Sequence, residues 1–240
     1  ALSSDPVNET IDLVQDLIRR NIPAGYYDMG WYLEHGYGVR VDQDLAFKYY
    51  RRSADMGSPN GQFLVGHKLA DERKNGTEIA AIGWSMYRCA ADQGHVKAAE
   101  GFGDYLQQEG RFAEALKYFQ KAVSSGSPVA SLSLARAFDS KGGTDPIFAL
   151  GQAADGEREQ RYSKIEDFLT RYDYLNPTVA EIDEIVPLPP VKLPLWDGKF
   201  KWLEEYKADK VPVLPAGDRI NEMAKAKGLD PRNGHALSSK

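Results

Sequence analysis

The side chains that could do chemistry are few and widely spaced in this sequence. The histidines are His35, His67, His95 and His235. No two of them stand at a metal-ligand spacing such as His-x-x-x-His, and there is no Cys-x-x-Cys pair. Glu181 and Glu184 could form a general acid–base pair, but their pattern places them on a solvated helix face. The sequence therefore predicts no enzyme, no catalytic residues, no bound metal and no cofactor.

One short stretch, EHGYGVRVD from Glu34 to Asp42, contains a Gly-x-Gly that could bind phosphate. A dinucleotide-binding loop would need a third glycine and would follow a β-strand. The flanking residues instead have the apolar spacing of helices. Gly36 and Gly38 are therefore predicted to take positive φ angles in a turn between two helices, and Asp42 is predicted to cap the second helix.

Charge and hydropathy argue against two classes of partner. The 240-residue chain has a net charge of −5 and no basic run, which argues against a nucleic-acid groove. It also lacks the run of about 18 apolar residues that a membrane span needs. The single cysteine, Cys89, is predicted to be a small buried hydrophobe. The start at Ala1 and the lack of cysteine clusters favour a periplasmic location, with the cytoplasm as the alternative.

The chain repeats itself with a period near 36 residues. Gly30, Gly66 and Gly103 lie at spacings of 36 and 37 residues, and Ala135 begins a fourth copy. Two apolar helical stripes in each unit predict an all-α fold, an α/α solenoid of antiparallel helix pairs. Small residues should let paired helices approach closely, and aromatic residues should fill the spaces between repeats. The small residues are Gly25, Gly30, Ala46 and Ala54, and the aromatic ones are Tyr49, Tyr50, Tyr118 and Phe119.

The pattern divides the chain into three parts. Residues 1–21 are predicted to form an N-terminal capping helix. Residues 22–175 are predicted to form the solenoid, with about four helix pairs and a degenerate last pair that the glycine-rich segment 142–156 interrupts. Residues 176–240 are predicted to form a proline-rich strap and C-terminal helices packed on the solenoid.

The C-terminal part differs from the repeats in composition. Four prolines within residues 187–194 favour an extended chain. Asp218 is predicted to cap the last helix. The main interpretation is that this tail covers the exposed end of the repeat stack. The alternative is that Trp196, Phe200 and Trp202 contact a partner.

The first repeat carries a family resemblance. Residues Met29, Gly30, Gly36, Gly38, Val39, Asp42, Ala46, Tyr49, Tyr50, Ala54 and Gly57 match the pattern of a Sel1-like repeat, a relative of the tetratricopeptide repeat. The second copy, residues 61–94, lacks the Gly-x-Gly-Val loop. The third, residues 98–126, has the short turn typical of a tetratricopeptide unit. The resemblance covers residues 22–140.

In such solenoids the first helix of each pair lines the concave side, which is the default binding face. Exposed aromatic side chains carry much of the binding energy in a typical interface, although Trp31 could equally serve packing. Acidic side chains on the same face would favour a basic partner. The candidate partner-binding residues are Tyr27, Trp31, Glu34, His67, Asp71, Glu100, Asp104 and Gln107.

The resemblance implies a protein-binding role without catalysis. Sel1-like repeat proteins are mostly adaptors, and several bacterial ones are immunity proteins that neutralise antibacterial type VI secretion effectors, including phospholipases. The first hypothesis is therefore an immunity protein that occludes a cognate effector in a 1:1 complex. The alternative is a general adaptor or scaffold in bacterial signalling or envelope processes. Penicillin-binding Sel1-like proteins have a disulfide in each repeat, so a single cysteine ranks that class last.

Overall fold

The computed structural model describes residues 6–71, 74, 76–139, 147–208, 216–232 and 234. Their regular secondary structure is helical, which confirms the predicted all-α class. The first nine helices are α1 (Pro6–Arg19), α2 (Pro23–His35), α3 (Gln43–Asp55), α4 (Pro59–Leu69), α5 (Thr77–Asp92), α6 (Val96–Gln108), α7 (Phe112–Ser124), α8 (Pro128–Phe138) and α9 (Gly156–Arg171). They are followed by a 3-10 turn (Asp173–Leu175), α10 (Ile182–Ile185), α11 (Lys201–Lys207) and α12 (Gly217–Ala226). His235 and residues 142–146 of the glycine-rich segment lie outside the described residues.

The helices α2 to α9 form four consecutive pairs, as the repeat pattern predicts. Each helix packs mainly on the helix before it and the helix after it, and α1 packs on α2. We call α2, α4, α6 and α8 the A helices, and α3, α5, α7 and α9 the B helices. This nearest-neighbour packing defines a solenoid, in which every pair depends on the next pair to bury its apolar face.

The Gly-x-Gly stretch is a helix–helix turn. Gly36 and Gly38 have φ angles of +75° and +64°, a region that favours glycine. The amide of Gly36 donates to the carbonyl of Tyr32 and ends α2. The Asp42 carboxylate accepts a hydrogen bond of 2.9 Å from the amide of Leu45 and caps α3. Both predictions for this stretch are confirmed.

The small residues do bring helices close together. A Cβ added at Gly30 would lie 2.8 Å from the ring of Tyr50, and one at Gly25 would lie 2.5 Å from the Cβ of Leu17. Tyr50 and Phe119 are buried, so they fill the spaces that these close approaches leave.

Three local expectations were wrong. Cys89 is exposed, because Ala90 and Ala91 take the inward positions of α5. Glu181 is buried, and the amide of Lys201 satisfies its carboxylate by donating a hydrogen bond of 2.7 Å. Asp218 does not cap the last helix, since α12 begins at Gly217 and places Asp218 in its first turn.

Residues 176–200, which we call the strap, are tied to α7 and α9 by backbone groups. The amide of Val179 donates to the carbonyl of Ser124, at 3.0 Å. The buried side chain of Arg158 donates to the carbonyl of Pro187 at 3.2 Å, and that of Arg161 donates to the carbonyl of Ile185 at 2.6 Å. The chain forms one compact unit up to Trp202 and a second from Leu203 to Lys240. Packing of the last helices on the solenoid stays a prediction.

Three A helices begin at a side-chain cap, and one of these caps can titrate. Ser58 caps α4 and Ser127 caps α8, whereas His95 caps α6 by accepting a hydrogen bond of 3.1 Å at Nδ1 from the amide of Ala98. Only an unprotonated Nδ1 can accept this bond. Burial of the ring, which stacks on Phe63 at 4.5 Å, lowers the pKa of His95.

We therefore expect the His95 cap to make stability depend on pH. Because the pKa is lower in the folded chain than in the unfolded one, the cap stabilises fully above about pH 6.5 and is lost as the pH falls through the folded-state value. Replacing His95 with serine, the cap of the neighbouring repeats, should keep a cap worth about 1 kcal/mol without this pH dependence. Urea unfolding of the wild type and H95S at neutral and acidic pH measures the difference. If acidic pH lowers the free energy of unfolding equally in the wild type and in H95S, the prediction is contradicted.

Candidate partner-binding site

Seven of the eight candidate residues lie on three successive A helices, and Asp71 lies two residues beyond the end of α4. We call this set the A-helix strip: Tyr27, Trp31, Glu34, His67, Asp71, Glu100, Asp104 and Gln107. Trp31, His67 and Asp104 are exposed, and the other five are half-buried. Met29, Gly30 and Leu33 of α2 are buried in the core.

Trp31 lies in an aromatic cluster at the C-terminal end of α2. Its indole stacks on the ring of His35 at 4.3 Å and lies edge-on to Tyr32 at 5.8 Å. Nδ1 of His35 donates to the carbonyl of Trp31 at 2.9 Å, which holds the two rings in place. Trp31 is still 41% exposed. A rigid aromatic side chain that keeps this much exposed surface can bind a partner at a low cost in conformational entropy.

Glu34 and Tyr27 also support the core beneath the strip. The hydroxyl of Tyr50 donates to the carboxylate of Glu34 at 2.8 Å, and the rings of Tyr27 and Tyr50 lie 5.4 Å apart. Burial, together with the bond to Glu34, raises the pKa of Tyr50. The hydroxyl therefore remains a donor at neutral pH and keeps the Glu34 carboxylate oriented.

In the second repeat a tyrosine of the B helix also contacts the strip, but it meets a histidine there. Tyr87 occupies the position of Tyr50, and its hydroxyl lies 3.0 Å from Nδ1 of His67. The ring of Phe63 stacks beside His67 at 6.3 Å. A tyrosine of the B helix thus reaches a polar side chain of the strip in two successive repeats.

In the third repeat the strip carries two neighbouring carboxylates. Glu100 accepts hydrogen bonds from Ser127 and, at 2.9 Å, from Lys97. Asp104 is exposed, but desolvation by the surrounding protein and the negative charge of Glu100 raise the pKa of its carboxyl. A cationic group from a partner would relieve this repulsion.

Gln107 is less available than the sequence predicts. Its side-chain amide donates to the carbonyls of Ile147 and Ala149, at 2.9 and 3.1 Å. It therefore ties α6 to the segment that precedes α9. No sequence pattern could have shown this, because the contact spans about forty residues of chain.

The aromatic side chains of the tail pack on α9. Phe200 was a candidate partner contact, but its ring is buried and stacks on Phe168 at 4.1 Å. Trp202 lies 6.0 Å from Phe168. Trp196 is half-buried and donates from Nε1 to the carbonyl of Lys199 at 2.9 Å. Of the three, only Trp196 and Trp202 keep surface that a partner could reach.

The described part of the chain contains neither a metal-binding cluster nor a membrane-spanning helix. No group of three or more His, Cys, Asp or Glu residues there could hold a metal ion. No helix in the same part is both long and apolar enough to cross a membrane.

Comparison with known proteins identifies the repeats. The model of the Sel1 repeat matches residues 23–58, 81–95 and 101–127. The matched residues lie in the first three helix pairs of the solenoid. Residues 130–237 match a second family model, which is described as a domain of unknown function, DUF6396.

Solved structures share the Sel1 solenoid fold. Pseudomonas aeruginosa 5086 (PA5086) is 27% identical with a TM-score of 0.56, over 77% of this chain and 67% of that chain. The immunity protein PA5088 from Pseudomonas aeruginosa is 18% identical with a TM-score of 0.54, over 87% and 68% of the two chains. A curated relative, chitin synthase regulatory factor 4 of Schizosaccharomyces pombe, is 46% identical over 70 residues. This match is 29% of the present chain and only 10% of the yeast protein.

The fourth helix pair continues the register of the Sel1 repeats. Ala135 is buried in α8, and so Leu132 and Arg136 take the places that Glu100 and Asp104 hold in α6. Both Leu132 and Arg136 are exposed. Neither was among the predicted contact residues, although the spacing that aligns Ala135 with Gly103 also locates both. The fourth A helix thus presents an apolar and a basic residue at the positions that hold carboxylates in α6.

Proposed function

We propose that this protein binds another protein through the A-helix strip and that it is an immunity protein, which neutralises a cognate antibacterial effector by occluding it. The observation that carries the proposal is the exposed Trp31 in its aromatic cluster, in line with the acidic side chains of the same strip. An aromatic anchor beside carboxylates is suited to a protein surface that offers an apolar pocket and basic groups.

The comparisons support this proposal through fold and naming. PA5088, which is called an immunity protein, has the same solenoid fold, and PA5086 shares both the fold and 27% of aligned residues. The resemblance to Sel1-like repeat proteins also implies a protein-binding role. The proposed target is an effector of type VI secretion, such as a phospholipase, and the proposed compartment is the periplasm.

The charges of the strip define the chemistry of the partner. Glu34 and Asp104 add negative charge to the strip, whereas Asp71 and Glu100 already pair with Lys74 and Lys97. The partner surface should therefore carry Lys or Arg opposite Glu34 and Asp104. Such complementarity accelerates association and selects against acidic partners more than it increases affinity. Inhibition would follow if the basic surface surrounds the effector's active site or its membrane-contact region.

Affinity capture followed by an activity assay tests the proposal. The purified protein is immobilised, exposed to lysate of the parent bacterium lacking the endogenous copy, and the retained proteins are identified. We expect one stoichiometric partner, a hydrolase that is toxic when produced alone and is inhibited on addition of this chain. A stoichiometric partner whose activity and toxicity are unchanged by this chain would contradict the immunity function.

Two variants then locate the binding surface. We expect Trp31→Ala to weaken binding by about 100-fold, since hot-spot truncations cost at least 2 kcal/mol. Asp104→Lys should weaken it by about tenfold, mainly by slowing association at low salt. Asp167→Lys is the matched control, because Asp167 is exposed on α9 and, like Asp104, lies four residues before the end of its helix. Biosensor kinetics measure all three, and equal effects of the two lysine variants would exclude the strip.

A general adaptor is the second candidate. The likeness of a 70-residue segment to a chitin synthase regulatory factor favours it, because that protein is named as a regulator and not as an inhibitor of a toxin. An adaptor should retain several partners at substoichiometric levels and with micromolar affinities. The capture experiment therefore separates the two functions by the number of partners and their stoichiometry.

A further inference from the structure

A pocket of about 180 Å³ opens between α5, α6 and the start of α7, and none of its residues belongs to the A-helix strip. One wall is formed by Trp84 and Tyr105, whose rings stack at 4.2 Å with an interplanar angle of 12°. Phe102 lies beside Tyr105 at 5.9 Å. Together these rings offer a flat aromatic surface on which an apolar or aromatic group can pack.

The rim of the pocket carries one uncompensated positive charge. Arg111 and Glu114 neutralise each other through two parallel hydrogen bonds of 2.8 Å. Their pairing raises the pKa of Arg111 and lowers the pKa of Glu114. Arg88, on the facing side of the pocket, is exposed and has no ion-pair partner among the residues that the structure describes.

Hydrogen-bond donors at the pocket are also unused. Within the described chain, neither the indole N–H of Trp84 nor the hydroxyl of Tyr105 donates a hydrogen bond, although both rings line the pocket. An aromatic wall with a free guanidinium and two free donors is complementary to a group that is flat or apolar on one side and carries an anionic acceptor.

The corresponding groove of the first repeat has a different lining. A pocket of about 350 Å³ lies between α1, α2 and α3, where Met29 and Leu45 occupy the positions of Phe102 and Glu114. That groove is mainly apolar. The groove itself is therefore a feature of the repeat, whereas the aromatic stack and the free arginine are particular to the groove at α5.

We propose that the pocket at α5 binds a carboxylate-bearing segment of a protein partner, in which an aromatic residue is adjacent to a glutamate or aspartate. The aromatic side chain packs against Trp84 and Tyr105, and the carboxylate binds Arg88. The volume admits the aromatic side chain and leaves the carboxylate at the rim beside Arg88, so the recognised unit is a short peptide motif. This second surface selects acidic segments, whereas the A-helix strip selects basic ones.

Titration with a dipeptide, followed by the indole N–H resonance of Trp84, tests the proposal. The probe is acetyl-Phe-Glu-amide, and a Trp84→Phe variant assigns the resonance. We expect a saturable shift with acetyl-Phe-Glu-amide and little shift with acetyl-Phe-Lys-amide. Arg88→Gln should raise the dissociation constant about tenfold, since it removes a charge-assisted hydrogen bond.

The matched control is Arg51→Gln. Arg51 has the same position in α3 as Arg88 in α5, is exposed, and pairs with Asp55 outside the pocket. It should leave the dissociation constant unchanged, and the other indole resonances should show that both variants are folded. The proposal is overturned by equal shifts with the two peptides, by no shift up to the solubility limit of the acidic peptide, or by equal effects of the two arginine variants.

Discussion

Replacing Gly83 with alanine should lower the free energy of unfolding by about 2 kcal/mol, although alanine stands at the same position in the first and third repeats. Ala46 in α3 and Ala115 in α7 are the equivalent residues, and both are buried. In α5, however, a Cβ at Gly83 would lie 2.5 Å from the amide nitrogen of Ala70 and 2.8 Å from the carbonyl oxygen of Gly66. Backbone atoms cannot rotate away, so α4 and α5 must separate.

The repeat pattern alone predicts that Gly83→Ala raises the free energy of unfolding. Alanine exceeds glycine in helix propensity by about 1 kcal/mol, so introducing the alanine of the first and third repeats should stabilise α5. Gly156→Ala is the control, because a Cβ at Gly156 meets no atom within 4 Å. It should be neutral or stabilise by up to about 1 kcal/mol. Urea unfolding of both variants decides between the two predictions. If Gly83→Ala is more stable than the wild type, α4 and α5 do not approach as closely as the structure indicates.

The order of the helices could be predicted from sequence because it depends on local signals. Glycines at a fixed period, apolar stripes and a capping aspartate at residue 42 each act over a few residues, and each is confirmed. His95 shows the limit of such signals. Histidine is not among the residues usually preferred as N-caps, so only the position of its Nδ1 beside the amide of Ala98 identifies it as one.

The candidate site could be predicted only in part. The register of the repeats located the exposed row of the A helices, and the exposed Trp31 follows directly from it. The register could not show which of these side chains are already engaged. The bonds of Glu34 to Tyr50 and of Gln107 to Ile147 depend on how helix pairs stack and on where the insertion in the fourth pair returns. Their contribution to binding stays a prediction.

The strap shows a different limit. Its prolines predicted an extended strap, but the groups that hold it were missed. Arginine is rarely buried, so a sequence pattern assigns Arg158 and Arg161 to the surface. The structure instead buries both side chains in α9 and directs them at strap carbonyls, which are otherwise hard to satisfy because a proline-rich segment forms no ladder of its own.

Replacing Arg158 with methionine should therefore lower the free energy of unfolding by about 3 kcal/mol. The guanidinium binds three groups: the carboxylate of Asp155 at 2.6 Å, and the carbonyls of Pro187 and Val191. Methionine retains most of the apolar volume beside Phe138, but it leaves the buried carbonyl of Pro187 without this donor and removes the bond to the carbonyl of Val191. Asp155 is affected less, because its carboxylate still accepts from the backbone amide of residue 158 as the cap of α9.

Arg171→Met separates the loss of these bonds from the loss of a positive charge. Arg171 lies on the same helix and is exposed, so its replacement should change the free energy of unfolding by less than about 0.5 kcal/mol. In R158M, release of the strap should also expose Trp196 and Trp202 and shift tryptophan fluorescence to longer wavelength before global unfolding. If R158M instead unfolds in one step with wild-type stability, the strap is held by its apolar residues, and the arginines only fill space beneath it.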